Sequence, residues 1–97
     1  MNKPALWVTL KAKPSKASEV EAFLKSALPL VQAETGTLDW YAFRINESIF
    51  GIFDTFENEN ARNAHLAGEV AQALMAKAAE LLTEAPLIEK AEVLASK

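Results

Sequence analysis

Two neighbouring strand-like segments with two apolar faces constrain the fold of this chain more than any other feature. Residues 38–45 and 48–56 alternate as β-strands do, and the short loop through Asn46 and Glu47 is typical of a hairpin. The two faces are Leu38, Trp40 and Ala42 against Tyr41, Phe43 and Ile45 in the first segment, and Ile49, Gly51 and Phe53 against Phe50, Ile52 and Phe56 in the second. Each face of this hairpin therefore needs cover from water.

The length of the chain limits how that cover can be supplied. A chain of 97 residues predicts a single domain over 1–97, and its own helices can cover only one face of the sheet. The second face would remain an exposed apolar patch, which is typical of a protein–protein contact. We therefore expect a homodimer in which the sheets of two copies pack face to face.

Elements before the hairpin are predicted from alternation and from helix signals. Residues 5–13 alternate as a first strand, which ends at a proline. Ser18 and Glu21 have the spacing of a capping box, which predicts the start of a helix whose apolar stripe runs to Val31. Gly36 then has the position of a left-handed residue that follows a helix.

Elements after the hairpin complete the order. Asn58 predicts the start of a short helix through Leu66, a second helical run covers 69–82, and a last strand covers 87–95. The sequence therefore predicts an α+β, ferredoxin-like β-α-β-β-α-β fold with an antiparallel sheet.

Composition excludes several kinds of site and partner. The chain has no cysteine and one histidine, so thiolate chemistry, disulfides and multi-histidine metal sites within one chain are excluded. No metal-ligand spacing, phosphate loop or nucleophile elbow is present. The net charge is −3 without a basic stripe, so we expect no nucleic-acid partner. No signal peptide or apolar run of membrane-spanning length is found, so we expect no membrane partner and a cytoplasmic protein.

Residues 34–66 contain nearly every residue type that can carry out chemistry, including the only histidine. His65 is the candidate base or hydrogen-bond partner, because the ordinary pKa of histidine lies near neutrality. Arg44 could hold a phenolate or carboxylate. Structural roles compete with both assignments: His65 could be a packed side chain at a helix end, and Arg44 could pair at the sheet rim with Asp39, Glu47 or Glu92.

Six further residues are candidate ligand contacts. They are Trp40, Tyr41, Phe53, Phe56, Asp54 and Met75. Because side chains alternate along a strand, Trp40 and Tyr41 face opposite sides, and at most one of them should line a pocket while the other meets the dimer interface. Asp54 needs a partner or solvent, which a rim ion pair would also supply. The aromatic residues would serve equally well as plain core.

The residues of this region resemble a known family. ETGTLDWYAFR followed by FGIFDTFENENARNAH is similar to the antibiotic biosynthesis monooxygenase domain family, whose members form dimeric α+β barrels. The shared signals are a Glu-x-Gly before the second strand, an aromatic residue on it, an acidic-aromatic end to the third strand, and a histidine on the next helix. Here they are Glu34 and Gly36, Trp40 and Tyr41, Asp54 and Phe56, and His65.

The resemblance implies a chemistry. Family members of known activity are cofactor-independent oxygenases of phenols, hydroquinones or polycyclic aromatics, so the substrate itself must give electrons to O2 after losing a proton. Such an enzyme needs a base, a donor or cation for the anion, and a dry pocket. We therefore expect a cofactor-independent monooxygenase of small aromatic, phenolic or quinol-type substrates, with no cofactor. The alternative is a non-catalytic dimeric module that binds a small apolar ligand, or a stress-associated protein of the same fold.

Haem chemistry is disfavoured within the same resemblance. Haem-degrading relatives use an asparagine on the first strand together with a tryptophan and a histidine. The first strand here, ALWVTLKAK, has no asparagine, and Phe56 stands where relatives often have tryptophan or tyrosine.

Overall fold

A four-stranded antiparallel sheet with three helices forms the fold, and the computed structural model describes residues 2–97. The elements in chain order are β1 Lys3–Lys11, α1 Ala17–Gln32, β2 Thr37–Arg44, β3 Ile49–Phe56, α2 Glu59–Leu66, α3 Glu69–Leu81 and β4 Leu87–Val93. The strand order is β2-β3-β1-β4, and every neighbouring pair is antiparallel. The predicted ferredoxin-like α+β fold is confirmed, with strand boundaries that differ from the prediction by at most about two residues.

The helices cover one face of the sheet. Leu6, Val8 and Leu10 of β1 point to that face and are buried, as their alternation predicted. The main core joins these strands to the apolar stripes of α1 and α3, and its members include Val8, Leu10, Val20, Leu24, Phe50, Ile52, Leu74 and Leu81. Each such side chain contributes about 1.5–3 kcal/mol relative to full exposure. Within residues 2–97, no helix is both long and apolar enough to cross a membrane.

The predicted capping box at the start of α1 is wrong. The helix begins earlier than predicted, and its N-cap is Lys16, whose side chain makes no capping bond. Ser18 therefore lies within the first turn, where the backbone amides of Glu19 and Val20 already bond to the carbonyl of Lys16. The carboxylate of Glu21 is turned outward instead, toward Lys25 and Arg44.

The predicted left-handed conformation of Gly36 is also wrong. No glycine in residues 2–97 has a positive φ, and α1 ends at Ala33 in a right-handed conformation. Glycine is needed at position 36 for a different reason. A Cβ there would lie 2.5 Å from the Cβ of Ala61, so the chain between α1 and β2 approaches α2 too closely for any side chain.

The β2–β3 hairpin is confirmed, and it contains one irregularity. Its turn is closed by the Asn46 side chain, whose Oδ1 accepts hydrogen bonds from the amides of Ser48 and Ile49. The pairing shifts by one residue between Thr37 and Asp39, which is the signature of a β-bulge. Beyond the bulge, Trp40 pairs with Asp54 on the helix-covered face, and Tyr41 pairs with Phe53 on the other face.

The second face of the sheet is aromatic and uncovered within the chain. Trp7 lies 5.3 Å from Phe43 and 6.1 Å from Phe53 between ring centroids. Phe43 lies over Gly51, where a Cβ would be 2.3 Å from the ring. Tyr41 is 60% exposed and Trp7 is 40% exposed. The prediction that one face lacks cover is confirmed, and the homodimer that would supply the cover stays a prediction.

Candidate functional site

The only histidine lies between two carboxylates. α2 begins at Asn58, whose Oδ1 accepts a 2.8 Å hydrogen bond from the Ala61 amide, and its last turn places His65 against β3. His65 Nδ1 lies 2.6 Å from Glu34 Oε1, and Nε2 lies 3.1 Å from Asp54 Oδ2. The Thr37 hydroxyl donates to the same Glu34 oxygen at 2.7 Å. We call Glu34, Asp54 and His65 the carboxylate–histidine cluster.

Burial differs among the three members of the cluster. Asp54 is 1% exposed and His65 is 9% exposed, whereas the Glu34 side chain is 22% exposed. The contact between Nε2 and Asp54 is close but lacks hydrogen-bond geometry, and neither carboxylate oxygen of Asp54 has a hydrogen-bond donor among residues 2–97. Glu34 is therefore the member that a ligand would meet first.

The indole N–H of Trp40, a buried hydrogen-bond donor without an acceptor, belongs to the residue beside Asp54. Trp40 is directly opposite Asp54 in the β2–β3 ladder, and its indole Nε1 has no hydrogen-bond partner within the described part of the chain. Buried polar groups are normally paired, because an unpaired one costs about 1–3 kcal/mol. The unpaired indole N–H is therefore an exception that calls for a physical explanation.

The environment shifts the pKa of both buried members of the cluster upward. Burial raises the pKa of Asp54 because it disfavours the charged carboxylate, and His65 opposes this only in part. Burial alone would lower the pKa of His65, but the carboxylates of Asp54 and Glu34 outweigh it and the pKa lies above its ordinary value. The two carboxylates thus favour the imidazolium form, with one carboxylate facing each ring nitrogen.

A cavity of about 630 Å³ opens beside the cluster. We call it the junction cavity, because α1, α2 and the start of α3 meet there. Small residues line much of it, namely Gly36, Ala61, Ala64 and Gly68, and Glu34 and His65 contribute the cluster's surface. Its volume is in the range of small-molecule sites, about 300–1,000 Å³. Within residues 2–97, no group of three or more histidine, aspartate and glutamate side chains is arranged to hold a metal ion.

Arg44 does not share the site with His65. Its guanidinium pairs with Glu21 of α1, rather than with any of the three partners considered from the sequence, and lies 4.9 Å from the Phe50 ring. It lines a separate groove between α1 and β2. The two residues with proposed catalytic roles therefore belong to different sites.

The candidate ligand contacts divide between three places. Phe56 is fully buried, with its ring 5.2 Å from the imidazole, and Asp54 touches the imidazole directly. Trp40 lies next to Asp54, whereas Tyr41 and Phe53 lie on the opposite face of the sheet. Met75 is 54% exposed on α3 and lines neither cavity.

Two residues were not identified as site residues from the sequence. Glu34 was noted only as part of the Glu-x-Gly signal, and no local pattern reveals that it meets a histidine on α2. Arg62 is buried, and its Nη1 donates to the carbonyls of Ala5 at 3.1 Å and Ala91 at 3.0 Å. Its i,i+3 spacing from Glu59, to which Nη2 donates at 2.5 Å, suggests only a surface pair.

Comparisons with known proteins place the chain among solved structures. No protein-family model and no curated protein matched it. The NE2512 protein of unknown function from Nitrosomonas europaea is 52% identical, with a TM-score of 0.96 over 100% of this chain and 94% of that one. Two structures that carry the provisional name antibiotic biosynthesis monooxygenase share the fold.

One of these two comes from Caulobacter crescentus, at 23% identity and a TM-score of 0.83 over 97% of this chain and 92% of that one. The other comes from Nitrosomonas europaea, at 12% identity and a TM-score of 0.84 over 95% and 90%. At these identities the likeness establishes the fold alone.

Proposed function

We propose that this chain, which belongs to the same family as the NE2512 protein and has the fold of the antibiotic biosynthesis monooxygenases, is a cofactor-independent monooxygenase. Its substrates are small aromatic, phenolic or quinol-type molecules that react with O2. The observation that carries the proposal is a histidine held between two carboxylates beside a cavity of ligand size. Groups whose pKa is perturbed inside a cleft are candidates for acid–base catalysis.

The reaction balances without an external electron donor. For a substrate whose methylene group is activated by a neighbouring phenol, one methylene and one O2 give one carbonyl group and one water. The methylene carbon loses four electrons and O2 takes up four. Removal of the phenol proton makes the substrate electron-rich enough to give an electron to O2, the carbon–oxygen bond forms, and loss of water leaves the carbonyl.

The cluster offers a route for that proton. Glu34 is the exposed member and accepts the proton of the substrate hydroxyl. His65 faces Glu34 through Nδ1, so Nδ1 of the neutral ring can take that proton from Glu34, and Asp54 beside Nε2 stabilises the imidazolium that forms. His65 is thus the central acid–base residue, and Glu34 is the residue that touches the substrate.

A non-catalytic module that binds a small ligand is the second candidate. The observation that favours it is that both nitrogens of His65 already face carboxylates of the chain itself. A buried ion cluster of this kind also occurs as a purely structural element. Under this reading the junction cavity binds a ligand without turnover.

We further propose that the protein works as a homodimer. The aromatic face that contains Trp7, Phe43 and Phe53 is left uncovered by the three helices. A second copy would cover it by the same face, since a two-fold interface is formed by one self-complementary patch.

Oxygen uptake by the metal-free protein tests the enzymatic proposal. The panel comprises hydroquinones, naphthols and anthrones, and the variants are His65→Ala, Glu34→Gln and Asp54→Asn. Loss of a positioned acid–base group should lower the rate by about 100-fold or more. Glu47→Gln is the matched control, because it removes one carboxylate in the exposed β2–β3 turn.

Uptake that needs the cluster but not Glu47 supports the proposal. Uptake that is unaffected in all three cluster variants contradicts the assignment of the site. An absence of uptake across the whole panel, with saturable binding of the same compounds, favours the binding module.

A further inference from the structure

We infer that the groove between α1 and β2 is a second site, separate from the junction cavity, that binds a small aromatic carboxylate. This groove, which we call the edge groove, has a volume of about 540 Å³. It shares no lining residue with the junction cavity. The inference goes beyond the proposed monooxygenase and does not depend on it.

The floor of the edge groove is apolar and aromatic. Leu28 of α1 and Trp40 of β2 offer the accessible apolar surface, and beneath them Leu24 and Phe50 are buried and support the floor. Because β2 is the last strand on its side of the sheet, the groove is open at the sheet edge. Aromatic rings favour contact with other planar rings, which adds about 0.5–1.5 kcal/mol beyond the burial of their area.

The mouth of the edge groove carries three charged side chains with a net charge of +1. Lys25 Nζ lies 2.8 Å from one oxygen of Glu21, and the Arg44 guanidinium pairs with the other oxygen through Nη2. Lys25 and then Arg44 hold the pKa of Glu21 below its ordinary value, so the carboxylate is charged at neutral pH. One of the two cations is therefore left without a counter-charge, although the chain as a whole has a charge of −3.

Arg44 is arranged to receive an anion. Its guanidinium lies 4.9 Å from the Phe50 ring, so the cation is positioned directly above the aromatic floor. Only Nη2 is engaged with Glu21, and within residues 2–97 the Nε and Nη1 groups form no hydrogen bond. Nη2 has a second hydrogen, and together with its neighbour Nε or Nη1 it presents a two-donor edge to a planar carboxylate, as in bidentate arginine–carboxylate pairs.

These features together select the class of ligand. A neutral aromatic molecule would fill the floor but leave the positive mouth unmatched, and a small inorganic anion would leave the apolar floor exposed to water. An aromatic carboxylate satisfies both parts at once. Its carboxylate also competes with Glu21 for Arg44, so Glu21 weakens the binding of the anion.

Two-dimensional ¹H–¹⁵N NMR with 1-naphthoate as the probe tests this inference. The chain has two tryptophans, and Trp7→Phe assigns the indole signals. We expect a saturable shift of the Trp40 indole N–H, with no shift of the Ala61 and Ala64 amides at the junction cavity. The neutral analogue 1-naphthalenemethanol should bind at least about tenfold more weakly, since a hydrogen bond to a charged group is stronger than one between neutral groups.

Charge variants separate this site from non-specific attraction. Arg44→Gln should weaken 1-naphthoate binding by about tenfold, and Glu21→Gln should strengthen it by about threefold. Lys3→Gln is the matched control. It removes one positive charge at the start of β1, whereas Phe50 pairs with the opposite end of that strand.

Three results would overturn the inference. They are no saturable shift of the Trp40 signal, equal affinity for the neutral analogue, and equal loss in the Lys3 and Arg44 variants. Because the Arg44 and Glu21 side chains are 45% and 42% exposed, their substitution should leave the spectrum of the folded protein intact. If Arg44→Gln nevertheless fails to fold, the sign of the Glu21→Gln effect decides the question.

Discussion

Replacement of His65 by glutamine should destabilise the protein in a way that depends on pH. The substitution leaves Glu34 and Asp54 facing each other without the cation that lies between them. Removal of one partner of a buried ion pair costs about 3–5 kcal/mol. Because Glu34 is partly exposed and water screens it, we expect a loss near the lower end, about 3 kcal/mol at pH 7. That is a large part of the stability of a small domain, which is about 5–15 kcal/mol.

The sign of the pH dependence follows from the two raised pKa values. In the native chain, the pKa of His65 is raised, so its stabilising contribution is fully present below its unfolded pKa and is lost as the pH rises through the folded pKa. Without His65, the pKa of Asp54 rises further. Below that pKa the carboxyl group of Asp54 is neutral, so the free-energy cost of burying its charge disappears. Each pH unit of that relief restores up to about 1.4 kcal/mol. The His65 contribution makes the native protein more stable at pH 5, so the relief at Asp54 is measured between two variants that both lack His65. The difference in stability between His65→Gln and the double variant His65→Gln/Asp54→Asn should narrow between pH 7 and pH 5.

Urea denaturation followed by circular dichroism at a fixed protein concentration measures both quantities. The double variant His65→Gln/Asp54→Asn is the control, because it removes the buried charge together with its partner and should recover part of the lost stability at pH 7. A loss under about 1 kcal/mol at pH 7, or a difference between the single and double variants that is of equal size at both pH values, would refute the reasoning that the cluster is a buried ion triad. A double variant that is less stable than His65→Gln alone would refute it as well.

Two other predictions concern the packing of the sheet and of the loop before it. Gly36→Ala should cost about 1–3 kcal/mol, because its Cβ would lie 2.5 Å from that of Ala61; an unchanged urea midpoint would contradict the close approach. Trp7→Lys places a charge at the centre of the aromatic face and should convert a dimer to a monomer in analytical ultracentrifugation, whereas Trp7→Tyr should leave the dimer intact. If the native protein sediments as a monomer at micromolar concentration, the proposed face-to-face dimer is wrong.

Local patterns were sufficient for most of the fold. The alternation in β1, the Asn58 cap and the Asn46 turn each depend on neighbours within a few residues, so the sequence carries them directly. The opposite orientation of Trp40 and Tyr41 follows from the geometry of any strand and was also predicted. The existence of one uncovered face followed from counting the available helices.

The failures arose where a residue has its role through a distant partner. Gly36 has the local pattern of a helix end, but its real constraint is Ala61 on α2. Arg44 was predicted to hold an anionic substrate or, alternatively, to pair with a carboxylate at the sheet rim, yet its carboxylate partner lies on α1. The role of Glu34 depends on the return of the chain to α2, 31 residues later, so no window of sequence around Glu34 contains the evidence. The predicted roles of Tyr41, Phe53 and Met75 are untested, although none of these residues lies at the junction cavity.

The buried guanidinium of Arg62 links the position of the His65 imidazole to strands β1 and β4. One nitrogen holds the carbonyls of Ala5 and Ala91, which face each other on β1 and β4. His65 follows Arg62 by almost one turn of the same helix. The orientation of His65 therefore depends on β1 and β4, which lie on the side of the sheet opposite to β2. No residue of these two strands lines the junction cavity. A substitution that tilts β4, such as a bulky residue in place of Ala91, would rotate α2 and move His65. The substituted residue itself touches neither a ligand nor a carboxylate.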